Sequence, residues 1–327
     1  MKKALITGIF GQDGSFLYEL LDQYGYQVYG IINKNLSSNS TRIKDELSKN
    51  GKNPLVYQAD LQEYEKIKDI IEDIQPDEIY HLAASHVSSE GRRNGKVINE
   101  IQLFKSNVSA TANLLGICNE ISGNIKILTA GSCLMFDSSD TDRQDENTPY
   151  SSKTLYGIGK ITENKLVEYY RNKGLYVCTA ILYNHESHRR SEDFVTRKIV
   201  RNMCMLKRDS NHKFSLGNIE IKKDWGYAKD YVKGMYLMLQ GNNPQDYILS
   251  SNELHSVREF IEVCARILHI DNWTTNIDIN TNIINCSNFT KFYGDSKKIE
   301  RELGWKRETG FEEMILKMVM EEMKYIL

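Results

Sequence analysis

The 327-residue chain has no run approaching the roughly 18 apolar residues that a membrane helix needs, so no stretch of it reads as a membrane span. It also lacks a charge excess. A formal net charge of −2 gives no global basic field to attract nucleic acid. CxxC pairs are absent, and the six cysteines (Cys118, Cys133, Cys178, Cys204, Cys264 and Cys286) stand in apolar or mixed contexts. They read as reduced, mostly buried thiols of a cytoplasmic chain. The seven histidines show no zinc-like spacing, so no metal site is expected. Internal repeats and low-complexity linkers are missing too. Met1-Lys2-Lys3 before ALITGIF imitates a signal peptide, but Gly8, Gly11 and Gln12-Asp13 interrupt the apolar stretch at once. A buried first strand is the better reading.

What the chain does hold is an alternation of strand and helix patterns. KALIT (3–7) is an apolar strand, followed by a glycine turn and a helix through Phe16, Leu17, Leu20 and Leu21. QVYGII (27–32) is a second strand, with others at Leu55-Val56-Tyr57, Glu78 to Leu82, Ile125 to Leu128 and Tyr176 to Leu182. Tyr64 to Ile74 and Thr154 to Arg171 carry helical periodicity, the first ending just before Pro76. This order predicts an α/β fold with a Rossmann-like, doubly wound parallel sheet. Beyond about residue 184 the pattern loosens. Helices at Val257 to Leu268 and Phe311 to Tyr325 mix with short strands and loops, which predicts a smaller, interleaved C-terminal substrate lobe. The expected division is 1–183 for dinucleotide binding, with a return segment at about 224–252, and 184–327 for the lobe.

The first strand-to-helix turn reads Thr7-Gly8-Ile9-Phe10-Gly11-Gln12-Asp13-Gly14. Glycines there let the backbone turn tightly and approach a pyrophosphate, which the helix N-terminus attracts. The GxxGxxG spacing resembles that of the extended short-chain dehydrogenase/reductases. Asp60-Leu61 after the third strand would cap the adenine. His81-Leu82-Ala83-Ala84 after the fourth would line the ribose and nicotinamide.

YxxxK occurs four times, at Tyr64/Lys68, Tyr156/Lys160, Tyr169/Lys173 and Tyr293/Lys297, so the bare motif carries little information. Three of the four are expected on solvated helix faces. Tyr156/Lys160 alone opens a helix about two dozen residues after a strand that ends at Ala130-Gly131-Ser132. Residues i and i+4 share a helix face, so the ammonium lies beside the phenol and lowers its pKa. Tyr156 would then remove a hydroxyl proton that Ser132 orients, while Lys160 also holds the nicotinamide ribose.

Longer blocks carry a closer resemblance. ALITGIFGQDGSFLYELL opens the chain, and Ile181 to Ser187 (ILYNHES) with Arg189-Arg190 and Phe194-Val195-Thr196-Arg197-Lys198 follows the sixth strand. Leu216-Gly217-Asn218, the stretch Lys223 to Val232, Asp295-Ser296-Lys297-Lys298 and Leu303-Gly304-Trp305 complete the set. Together these resemble the GDP-mannose 4,6-dehydratases over most of the chain. The resemblance implies that Asn184, Thr196, Lys198, Leu216, Gly217 and Asn218 border a GDP-sugar. Ser85, His86 and Ser132 would face its sugar end, and His185 and Arg190 the dinucleotide. Lys223 stands where the family usually has arginine, which reduces bidentate pairing to a point charge. The family commonly places an arginine pair after the second strand. Here Asn33-Lys34-Asn35 stands instead, which favours NAD over NADP, with Lys34 keeping NADP open. The family also pairs through helices after the fourth and fifth strands, here roughly 97–120 and 154–171, which implies a homodimer or homotetramer.

The resemblance breaks in the catalytic triplet. Family members carry a glutamate where Leu134 stands in Ser132-Cys133-Leu134. That glutamate moves protons while water leaves the sugar's 6-position, and a leucine cannot. The cycle is expected to halt at the 4-keto sugar. Cys133 is expected to face away and not to substitute as base. The segment from Ser88 to Ile101 also departs from the family's, and a changed loop there suits a larger, heptose-like sugar or is a plain surface loop. A dehydratase scaffold without its glutamate resembles the GDP-D-glycero-D-manno-heptose 4-dehydrogenases, which feed capsule heptose synthesis in bacteria. The reduced cofactor then has two routes of renewal, exchange or oxidation in place by a 2-oxo acid such as 2-oxoglutarate. Competing readings are retained dehydratase activity, a GDP-sugar 4-epimerase, and a dinucleotide-binding regulator without turnover.

Overall fold

Lys3–Thr7 (β1) carries apolar Ala4, Leu5 and Ile6 and is buried from Ala4 to Thr7, as a strand with both faces covered must be. In the computed structural model, which describes residues 1–85, 99–121, 124–136, 143–279 and 292–326, β1 lies between β2 (Gln27–Ile32) and β4 (Glu78–His81). Outward from β2 comes β3 (Leu55–Gln58); outward from β4 come β5 (Lys126–Ala130) and β6 (Val177–Leu182). Every pairing in this sheet is parallel. The remaining strands are β7 (Asn184–Glu186), β8 (Phe214–Leu216), β9 (Lys222–Lys223), β10 (Trp225–Tyr227), β11 (Tyr247–Leu249), β12 (His255–Ser256) and β13 (Ile277–Ile279). Of these, β11 joins the main sheet beside β6, and the others form two-stranded pairs.

The helices are α1 (Gln12–Gln23), α2 (Ser38–Lys49), α3 (Tyr64–Ile74), α4 (Glu100–Ile121), α5 (Leu155–Asn172), α6 (Val195–Arg208), α7 (Ala228–Gln240), α8 (Val257–Leu268), α9 (Lys297–Leu303) and α10 (Phe311–Ile326). Leu17, Leu21, Tyr231 and Met235 of α1 and α7 share one core with the sheet. Ile67, Ile71, Leu114, Leu115 and Val167 of α3, α4 and α5 share another, as a doubly wound sheet requires. A third core, with Phe260, Phe311, Trp225 and Met203, holds the smaller lobe together.

The seven-stranded parallel sheet and the interleaved lobe agree with the sequence pattern. One feature did not show in it. After the lobe's strands the chain returns to the sheet a second time, at α9, and Ile299 and Trp305 join the α1–α7 core. The Trp305 indole donates to Asp230 O (2.8 Å), anchoring that return. The Tyr64–Ile74 helix ends as read, with Gln75 in the left-handed conformation (φ 51°) before Pro76. Helices α2, α6 and α7 were not evident in the sequence. No helix among the described residues is long and apolar enough to cross a membrane.

Candidate active site

Gly8 has φ +74°, and a Cβ there would stand 3.1 Å from the backbone of Ala83. The first turn and the end of β4 therefore meet closely, which only glycine permits. Ala83 N–H donates to Thr7 Oγ1 (3.1 Å), fixing that approach. A cavity of about 370 Å³ opens where the strand order reverses between β1 and β4, lined by Gly8, Phe10, Gly11, Asn33, Asp60, Leu61, Leu82, Ala83 and Ala84. The N-terminus of α1 follows Gly11, so backbone N–H groups and the helix dipole suit a pyrophosphate there. Gly14 is buried in α1 and does not line the cavity. Asn107 is a lining residue that sequence reading missed. Its Oδ1 accepts from Ser85 N–H (2.8 Å) and its Nδ2 donates to Ser85 O (2.9 Å), holding the loop after β4.

A second cavity of about 630 Å³ shares Gly11, Leu82, Ala84 and Ser85 with the first and contains the catalytic candidates. Ser132 caps the 3-10 turn Cys133–Met135, its Oγ accepting from Leu134 N–H (3.2 Å). A hydroxyl held this way keeps its proton for another acceptor. Thr154 caps α5, its Oγ1 accepting from Gly157 N–H (3.0 Å), and so sets where Tyr156 and Lys160 begin their helix. A Cβ on Gly157 would lie 2.1 Å from Leu134 O, so glycine is what lets α5 press against the Ser132–Leu134 turn. Tyr156, Lys160, Ser132 and Leu134 line one cavity.

The electrostatics differ from the simple expectation. Lys160 Nζ lies 5.9 Å from the Tyr156 ring centroid. Burial raises the phenol's pKa above its ordinary value, Lys160 opposes that, and Glu163 adds to it. The net direction is upward, which corrects the reading that Lys160 alone brings it down.

Cys133 is a further correction, since it lines the same cavity as Ser132 instead of facing away. Burial pushes its thiol up to about 12, so it is no thiolate base. Lys223 lines the cavity with its ammonium 5.5 Å from the Phe292 ring centroid, and burial lowers its pKa. Asn184 Nδ2 donates to Asp224 O (3.3 Å), leaving its carbonyl oxygen for the cavity it lines.

Gln12, Asp13, His185 and Arg190 line the junction of the two parts. Gln12 Nε2 donates to His185 O (3.0 Å), and Ser187 Oγ donates to Gln12 Oε1 (2.7 Å). His185 stacks on Tyr231 at 4.7 Å between centroids, and the Arg190 guanidinium lies over Phe194 at 3.6 Å.

Five expected sugar-nucleotide residues are not among those lining either cavity. Thr196 is buried and donates to Glu186 Oε2 (2.6 Å), while Leu216 packs in the lobe's core. Gly217 and Asn218 form the turn after β8, where Asn218 Oδ1 accepts from Glu220 N–H (2.9 Å). Lys198 sits on α6. His81 points away from the cavity and is buried behind it. His86, Cys286 and the 88–98 part of the altered loop lie outside the described residues.

Of the other YxxxK pairs, Tyr64 and Lys68 both donate to Glu120 (2.6 and 3.0 Å), and Lys173 lies over the exposed Tyr169 ring. Tyr293 is not on a helix. It precedes α9, donates to Asn252 O (3.1 Å), and carries Arg143 over its ring at 4.8 Å, which corrects the helix-face reading for that pair. Cys118, Cys133, Cys178, Cys204 and Cys264 are free and buried, and no cluster of three metal-ligating side chains occurs among the described residues.

Solved structures share this architecture. UDP-glucose 4-epimerase of Thermotoga maritima, solved with UDP-glucose, superposes with a TM-score of 0.85 at 19% identity, covering 99% of this chain and 100% of that one. The dTDP-glucose 4,6-dehydratase of Bacillus anthracis, in complex with NAD, gives 0.83 at 19% identity, covering 99% and 97%. At that identity the likeness concerns the fold. Sequence relatives are more specific. GDP-mannose 4,6 dehydratase 1 of Arabidopsis thaliana is 37% identical over 335 residues, covering 99% of this chain and 90% of the relative. GDP-mannose 4,6-dehydratase of Vibrio cholerae is 32% identical over 360 residues, covering 99% and 94%. The family model for GDP-mannose 4,6 dehydratase matches residues 5–318, nearly the whole sheet and lobe, and the chain belongs to that family of extended short-chain dehydrogenase/reductase enzymes.

Proposed function

We propose that this enzyme oxidises the 4-hydroxyl of a GDP-manno-sugar to the 4-keto sugar with NAD, without loss of water. GDP-D-glycero-D-manno-heptose is the favoured substrate, and the sugar of a bacterial capsule or surface polysaccharide the favoured end use. The observation that carries the reading is Leu134. It lines the cavity beside Ser132 and Tyr156, at the position where the family's glutamate is expected. The lining carboxylates among the described residues are Asp13, which meets His185, and Asp193, next to Phe194; neither is on the Ser132–Leu134 turn.

The first cavity, lined by the Gly8 turn, Asp60-Leu61 and Leu82 to Ala84, is the proposed NAD site, and Lys34 is not among its lining residues. When bound, NAD supplies the acceptor for the hydride at the sugar's 4-carbon. Ser132 orients the sugar hydroxyl, Tyr156 takes its proton, and Lys160 supplies the positive charge beside the phenol. Asn184 and Lys223 are the proposed contacts to the GDP-sugar from the lobe side. Since Leu134 blocks the family's route for hydride return, renewal falls to cofactor exchange or to a 2-oxo acid such as 2-oxoglutarate. A homodimer or homotetramer through α4 and α5 belongs to the same proposal, supported by the exposed Ile101, Ile158 and Tyr169 on those helices.

The relatives favour a second reading, since those at 32–37% identity are GDP-mannose 4,6-dehydratases covering 97–99% of this chain. Mass spectrometry of the nucleotide sugar after incubation with NAD and GDP-mannose or GDP-manno-heptose decides between them. Loss of two hydrogens supports 4-oxidation. Loss of water establishes the dehydratase and ends the first reading, and unchanged mass with an altered sugar indicates an epimerase.

A further inference from the structure

Behind the catalytic pair, buried side chains form a directed hydrogen-bond chain. Glu163 lies one turn beyond Lys160 on α5, and its Oε2 accepts from Lys160 Nζ (3.0 Å) and from Thr111 Oγ1 of α4 (3.1 Å). Because the Thr111 proton goes to Glu163, its oxygen accepts from His81 Nε2 (3.2 Å). His81 Nδ1 is then unprotonated and accepts from Thr7 Oγ1 (2.8 Å), whose oxygen in turn accepts from Ala83 N–H. Every donor orientation in the chain is consistent with one state, a neutral His81 and an ionised Glu163. Lys160, Glu163, Thr111, His81 and Thr7 are all at most 4% exposed.

We propose that Glu163 is a positioning residue which, acting through Lys160, offsets the positive charge felt by the Tyr156 phenol and ties it to the turn at Gly8. The inference rests on the reading that Tyr156 is the proton acceptor. A lone ammonium one turn from the phenol would stabilise the phenolate strongly, but a carboxylate 3.0 Å from that ammonium cancels part of its field. The groups facing Tyr156 are Lys160 and Glu163 from its own helix, Cys133 from the 3-10 turn and Arg190 from the loop after β7. Those acting on Lys160 are Glu163 and Tyr156, while its own charge holds the neighbouring His81 of β4 neutral, with burial the larger cause. Glu163 is the negative member closest to the ammonium in this set.

Glu163→Gln tests it, because the amide oxygen can accept both hydrogen bonds while only the charge is lost. Two readouts are taken on wild type, Glu163→Gln and Glu163→Asp. One is the pH dependence of tyrosinate absorbance in cofactor-free protein, each measured against its Tyr156→Phe counterpart. The other is the acid limb of the rate of NADH formation. In Glu163→Gln both midpoints move down by about one pH unit, and Glu163→Asp, which keeps the charge, brings them back towards wild type. Unmoved midpoints with a lower rate mean that Glu163 is only structural, and an upward shift means that Lys160 itself has lost its proton. Either overturns the proposal. If Tyr156→Phe proves fully active, the reading of Tyr156 as the acceptor fails instead, and the absorbance midpoints still decide the role of Glu163.

Discussion

His185 Nε2 donates to Asp13 Oδ2 at 2.9 Å, joining the segment after β6 to the first residues of α1. Its Nδ1 meets Tyr183 O at 2.7 Å. Both partners are acceptors, so both ring nitrogens must carry protons and the ring is an imidazolium. Burial works against the charge on each partner. For Asp13 the pull of His185 and Arg190 outweighs it and lowers the carboxyl, and for His185 the pull of Asp13 outweighs it and raises the imidazole. The Asp13 contribution is present above its ordinary pKa of 3.8 and is lost as pH falls through its lowered value. The His185 contribution is present below 6.5 and is lost as pH rises through its raised value. Asp13→Asn should therefore destabilise the protein by about 2 kcal/mol near pH 5–6. That deficit should shrink in urea titrations at progressively higher pH; a pH-independent deficit would show that the pair is not ionised.

Leu134→Glu puts a proton-moving group beside Ser132 and Tyr156, where the family resemblance implies a glutamate. The new carboxyl would stand among Cys133, Tyr150 and Phe292 of a small apolar cluster, so burial would raise its pKa. General acid–base help of this kind contributes about 10²–10⁴-fold. If the proposed 4-oxidation holds, the variant should release some nucleotide sugar that has lost water, in contrast to the 4-keto sugar proposed as the wild-type product. Mass spectrometry of both reactions is the check, and identical products would count against the role given to Leu134.

Gly157→Ala probes how α5 is seated. The added methyl would meet Leu134 O at 2.1 Å and Ser152 Oγ at 2.0 Å, and backbone cannot give way by a small rotation. The helix start must shift, taking Tyr156 away from Ser132. A displacement of about 1 Å costs roughly 100-fold in kcat. The overpacking itself costs about 1–3 kcal/mol of stability. The first cavity does not touch Gly157, so affinity for NAD, which keeps the contacts lining that cavity, should fall much less than kcat. Equilibrium binding beside steady-state kinetics separates the two effects.

Much of this site could be read from local sequence, because its parts follow strand ends in chain order. The Gly8 turn, Asp60-Leu61, Leu82 to Ala84 and Ser132 sit after β1, β3, β4 and β5, where any parallel sheet collects its ligand contacts. The context also separated Tyr156/Lys160 from three similar pairs. Glu163 escaped notice because a glutamate at i+7 on an otherwise polar helix reads as solvated, and only the packing of α4 buries it. Thr111 and Asn107 were hidden likewise inside α4. Cys133 does not face away as expected because the chain has already left the strand for a 3-10 turn there. Leu216 and Thr196 fall within family-like blocks, yet their side chains serve the lobe's own packing.

Glu46 carries a prediction about acid stability at the seam between α2 and the segment after β7. Its Oε1 accepts from Arg189 Nε (2.9 Å) and His188 Nε2 (3.2 Å), while Arg189 also donates to Glu19 (2.8 Å). Burial would raise the carboxyl, but hydrogen bonds and charge from His188 and Arg189 hold it down at about 2. The sign follows from the lowered value. The stabilisation is complete above the ordinary 4.5 and is lost as pH falls towards 2. Glu46→Gln leaves Arg189, only 3% exposed, with Glu19 as its remaining carboxylate, and should cost about 3 kcal/mol at pH 7. Urea midpoints for wild type and variant should stay well separated from pH 7 to 5 and converge near pH 2–3. Midpoints that stay equally far apart down to pH 2 would mean that Glu46 stabilises the seam by packing alone, since protonation would then remove nothing.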